Sequence, residues 1–198
     1  MRIIAGEHRG RRISAPDGER TRPMLDRVRE ALFGTLGERV EGAQVLDLFA
    51  GSGSLSLEAL SRGAERAVLL ERNPTALDAL HQNIAELGLE ERAWVVRGSA
   101  LDPKLWRPAP KKGRPELRER YELVFYDPPY PLLEDPHTRP GLLGAVDELL
   151  ARWLAPGGTI VFHVPARGTE WVRLAAPCAR ELRVYGTSAL LYLSAGAR

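Results

Sequence analysis

The chain has 198 residues, 44% of them hydrophobic, and a formal net charge of +2. That length supports one sizeable core with a small appendage and leaves little room for two full domains, and the near-neutral balance means that the molecule as a whole is not a polycation. No apolar run approaches the roughly 20 residues of a membrane span, and the opening Met1 to Arg12 lacks the apolar segment of a signal peptide, so a cytoplasmic protein without membrane contact is expected.

Arg2 to Ile4 and Arg11 to Ser14 are short β-like runs around an Arg/Gly-rich turn, expected to form a hairpin standing outside the main core. Between Met1 and Arg22, the basic residues Arg2, Arg9, Arg11, Arg12, Arg20 and Arg22 face only Glu7, Asp17 and Glu19, which marks a candidate phosphate-contacting footprint. From Pro23, Leu25, Val28, Leu32 and Leu36 recur at helical spacing and predict an amphipathic helix ending near Gly37, with Asp26, Arg27, Arg29 and Glu30 on its charged face.

After Gly42, short apolar runs alternate with helical stretches. The runs are Val45 to Phe49, Ala67 to Leu70, Ala93 to Val96, Leu123 to Tyr126 and Thr159 to Val164; the helical stretches are Leu55 to Ser61, Thr75 to Leu87 and Leu142 to Leu154. Glu181 to Tyr185 and Ala189 to Leu193, separated by Gly186-Thr187-Ser188, read as a terminal hairpin. This order predicts an α/β, Rossmann-like fold: a seven-stranded, mostly parallel sheet closed by a C-terminal antiparallel hairpin, the arrangement of class I methyltransferases rather than of dehydrogenases. Pro103 to Arg120, rich in Pro, Lys, Arg and Gly, lacks periodicity and is expected to be a surface loop, with Lys111, Lys112 and Arg114 as cations within it. Cys178 is the only cysteine, which excludes an intramolecular disulfide or a multi-cysteine metal cluster.

Val45 to Gly53 is an apolar strand entering a glycine turn that opens a helix. Gly51 and Gly53 would let backbone approach a ligand with no Cβ in the way, and Phe49, Ala50 and Ser52 complete the turn. A dinucleotide fingerprint would need a glycine where Ser56 stands. Glu71 ends the next strand, where an acid can accept both ribose hydroxyls of an adenosine, with Arg72 and Asn73 beside it. Asp47 would offset the cationic end of the cofactor, S-adenosylmethionine, and Ser99-Ala100 after the third strand would contact its adenine.

Asp127-Pro128-Pro129-Tyr130 follows the apolar strand Leu123 to Tyr126. An exocyclic base amine is a poor nucleophile because its lone pair is delocalised into the ring. A carboxylate and a neighbouring carbonyl that accept both N–H groups favour a pyramidal nitrogen and stabilise its developing charge. Pro128 and Pro129 stiffen such a turn, and Tyr130 offers a face on which an extruded base can stack. The chemistry needs no metal, and His8, His81, His137 and His163 lack ligand spacing.

Arg2-Ile3-Ile4-Ala5-Gly6, Arg9-Gly10-Arg11-Arg12, Thr21-Arg22-Pro23 and Asp26 to Phe33, with Leu46 to Gly53, Leu57 to Ala64 and Asp127 to Tyr130, resemble the signature of RsmD-type 16S ribosomal RNA guanine-N2 methyltransferases. The resemblance implies methyl transfer from S-adenosylmethionine to N2 of the guanine at position 966 of 16S RNA, in the assembled or assembling 30S subunit; a monomer is expected. The basic cluster supplies the candidate RNA contacts: Arg2, Arg9, Arg11, Arg12, Arg22 and Arg27. Residues 1–22 would then be an RNA-contacting extension and residues 23–198 the catalytic domain. A DNA adenine-N6 methyltransferase and an inactive ribosome-assembly binder remain the competing readings. The short chain speaks against the first and the intact Asp127 and glycines against the second.

Overall fold

In a computed structural model, residues 1–15, 24–109 and 116–196 are described. Seven strands form one sheet in the order β3-β2-β1-β4-β5-β7-β6. They are β1 (Gln44–Asp47), β2 (Arg66–Glu71), β3 (Ala93–Arg97), β4 (Tyr121–Tyr126), β5 (Leu154–Pro165), β6 (Cys178–Tyr185) and β7 (Ser188–Ala195). β1 to β5 pair in parallel, and β7 runs antiparallel to both β5 and β6. The mostly parallel sheet and the terminal hairpin are those expected from the sequence. Gly186, at φ +61°, and Thr187 alone separate the paired Tyr185 and Ser188, so glycine takes the left-handed position of a two-residue turn.

Parallel strands covered on both faces must be apolar on both, which is why these read as continuous hydrophobic runs. Along β4, Leu123 and Phe125 belong to one core and Val124 and Tyr126 to the other. The first core packs under α1 (Asp26–Leu36), α2 (Ser54–Ser61) and α3 (Pro74–Leu87). The second packs against α5 (Arg139–Glu148), which runs on through one π-type turn at Leu149–Trp153. Five-residue α4 (Tyr130–Glu134) starts directly behind β4. Among the described residues, no helix is long and apolar enough to cross a membrane.

Three expectations change. The N-terminal runs do pair, through an antiparallel bridge between Arg2 and Arg12, yet the hairpin does not stand outside the core: Ile3 and Ile13 are buried within the first core. Its backbone is bonded to α2, with the Ile4 and Ala5 N–H groups donating to the buried Glu58 carboxylate at 2.7 and 3.0 Å and the His8 N–H to Ser61 Oγ at 2.9 Å. Leu25, just before α1, is exposed, and Arg29 on α1 is buried, reaching inward to the Arg2 carbonyl and to Asp26 Oδ1 at 3.0 Å. Burial lowers the Arg29 pKa, opposed by the charges of Asp26 and Glu58. Finally, the stretch Pro103 to Arg120 is no simple surface loop. Trp106 and Leu117 are buried in the second core, Trp106 Nε1 donates to the Ala100 carbonyl at 2.9 Å, and its ring meets Trp153 edge to face. Lys111, Lys112 and Arg114 lie outside the described residues, as do Arg20, Thr21, Arg22 and Pro23.

Candidate active site

The strand order reverses between β1 and β4, and ligands of open α/β sheets bind outside the carboxyl ends of the strands at such a point. Both candidate turns leave the sheet there. Asp47 of β1 is in register with Phe125 of β4, and the next residue, Leu48, donates its N–H to the Phe125 carbonyl at 3.2 Å. The glycine turn and the Asp127-Pro128-Pro129-Tyr130 turn are thereby neighbours.

Gly51 and Gly53 have φ of +55° and +86°, the left-handed region that favours glycine. Their surroundings differ. A Cβ on Gly51 would meet nothing within 4 Å, whereas one on Gly53 would lie 2.5 Å from Leu80 Cδ1 and 3.1 Å from Leu57 Cδ1. Gly51 thus faces open space, whereas a side chain at Gly53 would press on the ends of Leu57 and Leu80 between α2 and α3. The Gly53 N–H donates to Ala50 O at 2.7 Å, and buried Asn83 donates to the carbonyls of Ser52 at 2.9 Å and Ser14 at 3.0 Å. Phe49 packs edge to face on Tyr126 with ring centres 5.3 Å apart.

Glu71 binds the turn directly. Its Oε2 accepts the Gly51 N–H at 2.9 Å, and its Oε1 accepts the N–H groups of Arg72 and Asn73, each at 2.7 Å. Three backbone donors therefore already share the carboxylate expected to take two ribose hydroxyls. With about four lone-pair sites, it has room for one more donor without rearrangement. The Asn73 side chain caps α3 through Thr75 N at 2.9 Å, and Ser99 Oγ accepts the Leu101 N–H at 3.2 Å as a local turn. Ser99 is exposed and Ala100 buried.

Asp47 is 1% exposed. Ser56 Oγ donates to its Oδ2 at 2.8 Å, while Oδ1 is buried without a hydrogen-bond partner among the described residues. Burial raises its pKa from 3.8 to about 7 against the Ser56 bond and a weaker contact with the Phe49 backbone N–H, helped by the charges of Asp127 and Glu71. A buried carboxylate oxygen without a donor, beside an open glycine turn, suits a ligand that brings donors or positive charge.

Asp127 is partly exposed and Pro128 buried. The Pro129 carbonyl accepts the Leu132 N–H at 2.9 Å as α4 begins. Asp127 Oδ1 lies 2.7 Å from His163 Nδ1, His163 Nε2 lies 2.9 Å from the Tyr130 hydroxyl, and that hydroxyl lies 3.0 Å from Ser188 Oγ. Half-buried Tyr130 has its pKa raised by burial, against the Ser188 bond. Tyr130 is thus held at its hydroxyl as well as offering a ring face. Sequence reasoning set His163 aside for want of metal-ligand spacing and missed Ser188. The available signal was a histidine near the carboxyl end of the otherwise apolar run Thr159 to Val164, on the strand beside β4.

The arginine footprint lies elsewhere. Arg9, Arg12 and Arg27 are exposed, and Arg11 donates to the Glu86 carbonyl of α3 at 2.5 Å. Arg2 lies 3.9 Å from Asp26 Oδ2. An open groove of about 560 Å³ between hairpin and α1 is flanked by Arg2, Arg9, Arg62 and Glu30. Arg22 is outside the described residues.

The conserved hypothetical protein 95 family matches residues 1–194. The ribosomal RNA small subunit methyltransferase D of Escherichia coli K12 is 41% identical over 157 residues, 78% of this chain and 70% of that one. Among solved structures, the Escherichia coli protein yhhF superimposes with a TM-score of 0.77 at 32% identity, covering 98% of each chain. A hypothetical protein of Thermus thermophilus gives a TM-score of 0.71 at 30% identity, covering 98% of this chain and 99% of that one. The fold these neighbours share is that of class I methyltransferases.

Proposed function

The chain belongs to the conserved hypothetical protein 95 family, and from that premise we propose that it methylates N2 of one guanine, position 966, of 16S ribosomal RNA in the small ribosomal subunit, using S-adenosylmethionine. Ribosomal RNA methylation is the activity named for its relatives of the methyltransferase D group. The observation that carries the chemistry is the side-by-side exit of the glycine turn and the Asp127 turn from paired strands β1 and β4.

Asp47, Gly51 and Glu71 would hold the cofactor. Asp47 Oδ1 offers an acceptor to its cationic end, Gly51 leaves space along the turn, and Glu71 Oε2 retains capacity for a ribose hydroxyl. When bound, the cofactor supplies the methyl group. Asp127 accepts one N–H of the guanine amine, and the Pro128 carbonyl accepts the other, since the Pro129 carbonyl is engaged by Leu132. Holding both hydrogens pyramidalises the nitrogen, and the carboxylate stabilises the positive charge that grows on it. Arg2, Arg9, Arg12 and Arg27 serve the RNA backbone, with Arg22 as a further contact from outside the described residues.

The test supplies labelled S-adenosylmethionine to unmodified 30S particles, deproteinised 16S RNA and duplex DNA, and maps the label. Incorporation at one guanine N2 is expected; labelling of adenine in DNA, or none in any substrate, would overturn the reading. Asp127→Ala should lower turnover by at least about a hundredfold with cofactor affinity nearly intact, Asp127→Asn should be milder, and wild-type turnover in the alanine variant would remove Asp127 from the chemistry.

A further inference from the structure

We propose that His163 is a positioning residue for Asp127, and that Tyr130 and Ser188 set its orientation. The inference rests on the reading that Asp127 meets the substrate amine.

The directions of the three hydrogen bonds are fixed from one end. An ionised Asp127 only accepts, so the hydrogen between it and His163 belongs to Nδ1. In the neutral ring Nε2 is then an acceptor, and the Tyr130 hydroxyl donates to it. The tyrosine oxygen is left to accept the Ser188 hydroxyl hydrogen. Each side-chain donor meets a side-chain acceptor, the Tyr130 hydroxyl favouring Nε2 at 2.9 Å over the Val164 carbonyl at 3.5 Å, and the chain ends on Asp127 Oδ1. Oδ2 is thereby kept for the amine, and the carboxylate plane is fixed by a ring that is itself 7% exposed and cannot swing.

The four residues come from separate elements. Asp127 stands just beyond β4, Tyr130 opens α4, His163 lies in β5 and Ser188 starts β7, paired across from Pro165 of β5. The C-terminal hairpin therefore contributes to the geometry of a turn two strands away in the sheet. A carboxylate held by one oxygen from a buried donor has a defined direction, and misplacing a reacting group by about 1 Å can cost on the order of a hundredfold in rate.

The experiment compares His163→Leu, His163→Asn and His163→Gln in steady-state methylation of unmodified 30S particles, with melting temperature and cofactor affinity measured on each. An asparagine amide nitrogen falls where Nδ1 was, and a glutamine amide falls near Nε2. His163→Leu should lower kcat by at least about thirtyfold with KM and cofactor affinity unchanged. His163→Asn should recover most of that loss and His163→Gln should not. Equal kcat for the asparagine and glutamine variants, or wild-type kcat for His163→Leu, would overturn the proposal. Should His163→Leu fail to fold, Tyr130→Phe and Ser188→Ala cut the chain further out: reduced kcat at unchanged KM is expected, and wild-type kcat in both overturns it. Asp127→Ala run alongside separates the failures, because an active Asp127→Ala refutes the parent reading, whereas an inactive one beside a fully active His163→Leu refutes this inference alone.

Discussion

Asp47→Asn should stabilise the ligand-free protein at alkaline pH while weakening its hold on the cofactor. In the fold the Asp47 carboxyl is raised from 3.8 to about 7, chiefly by burial. A raised pKa means that the fold favours the neutral acid. That contribution is fully present below the unfolded value near 4 and is lost as pH rises through about 7. A displacement of this size corresponds to about 4 kcal/mol at pH 8. An asparagine is neutral throughout, and its amide oxygen can still accept the Ser56 hydroxyl. Urea unfolding of both proteins, followed by tryptophan fluorescence at pH 4, 6 and 8, should show the variant's advantage growing by up to about 4 kcal/mol across the series, other titrations cancelling in the difference. Titration with S-adenosylmethionine should show the wild-type affinity rising with pH up to about 7, by at most about tenfold per pH unit, and the variant's staying low and flat. Parallel stabilities of the two proteins would refute the buried-charge reasoning, whatever the affinities.

Gly53→Ala should destabilise the fold by about 3 kcal/mol, since the new Cβ meets Leu80 at 2.5 Å with φ at +86°, whereas Gly51→Ala should cost about 1 kcal/mol, from φ alone, yet weaken cofactor binding more; denaturation and calorimetry separate the two. Replacing Arg9 and Arg12 together by Ala should flatten the salt dependence of 30S binding by about two units of log–log slope, while Arg11→Ala, whose guanidinium already caps α3, should change the slope less and the stability more. Because Asp47 feels the charges of both Asp127 and Glu71, a cofactor analogue with an added positive charge, such as sinefungin, should bind this site several-fold more tightly than S-adenosylhomocysteine, whose net charge is zero; equal affinities in calorimetric titration would contradict that.

The strands were legible because burial on both faces writes itself as uninterrupted apolar runs, and the two turns because glycine and proline mark them chemically. Other features were hidden for the same kind of reason. Arg29 reads as a surface charge by type, and its burial is made tolerable by Asp26 one turn away together with the Arg2 carbonyl, which only the tertiary fold brings near. Trp106 sits in a stretch without periodicity, so nothing local distinguishes a buried anchor from an idle aromatic. Gly51 and Gly53 look alike in sequence, yet one faces open space and the other Leu80. His163 and Ser188 meet Asp127 and Tyr130 only because β5 lies between β4 and β7, a neighbourhood no spacing along the chain could reveal.

The hairpin and the glycine turn are also tied together, and that bears on how a small domain could select one base in a large RNA. Glu58 and Ser61 hold residues 4 to 8 of the hairpin at the far end of α2, whose first residue, Ser54, follows the glycine turn. Asn83 holds Ser14 and the Ser52 carbonyl with one buried side chain. The hairpin is therefore registered to the site at both of its ends, along a helix of eight residues, about 12 Å of rigid spacing. Phosphates gripped near Arg9 would be carried at a fixed distance from Asp127 rather than on a swinging arm. The reach from grip to base then becomes a property of the fold, and a guanine at any other separation from that grip would not arrive at Asp127.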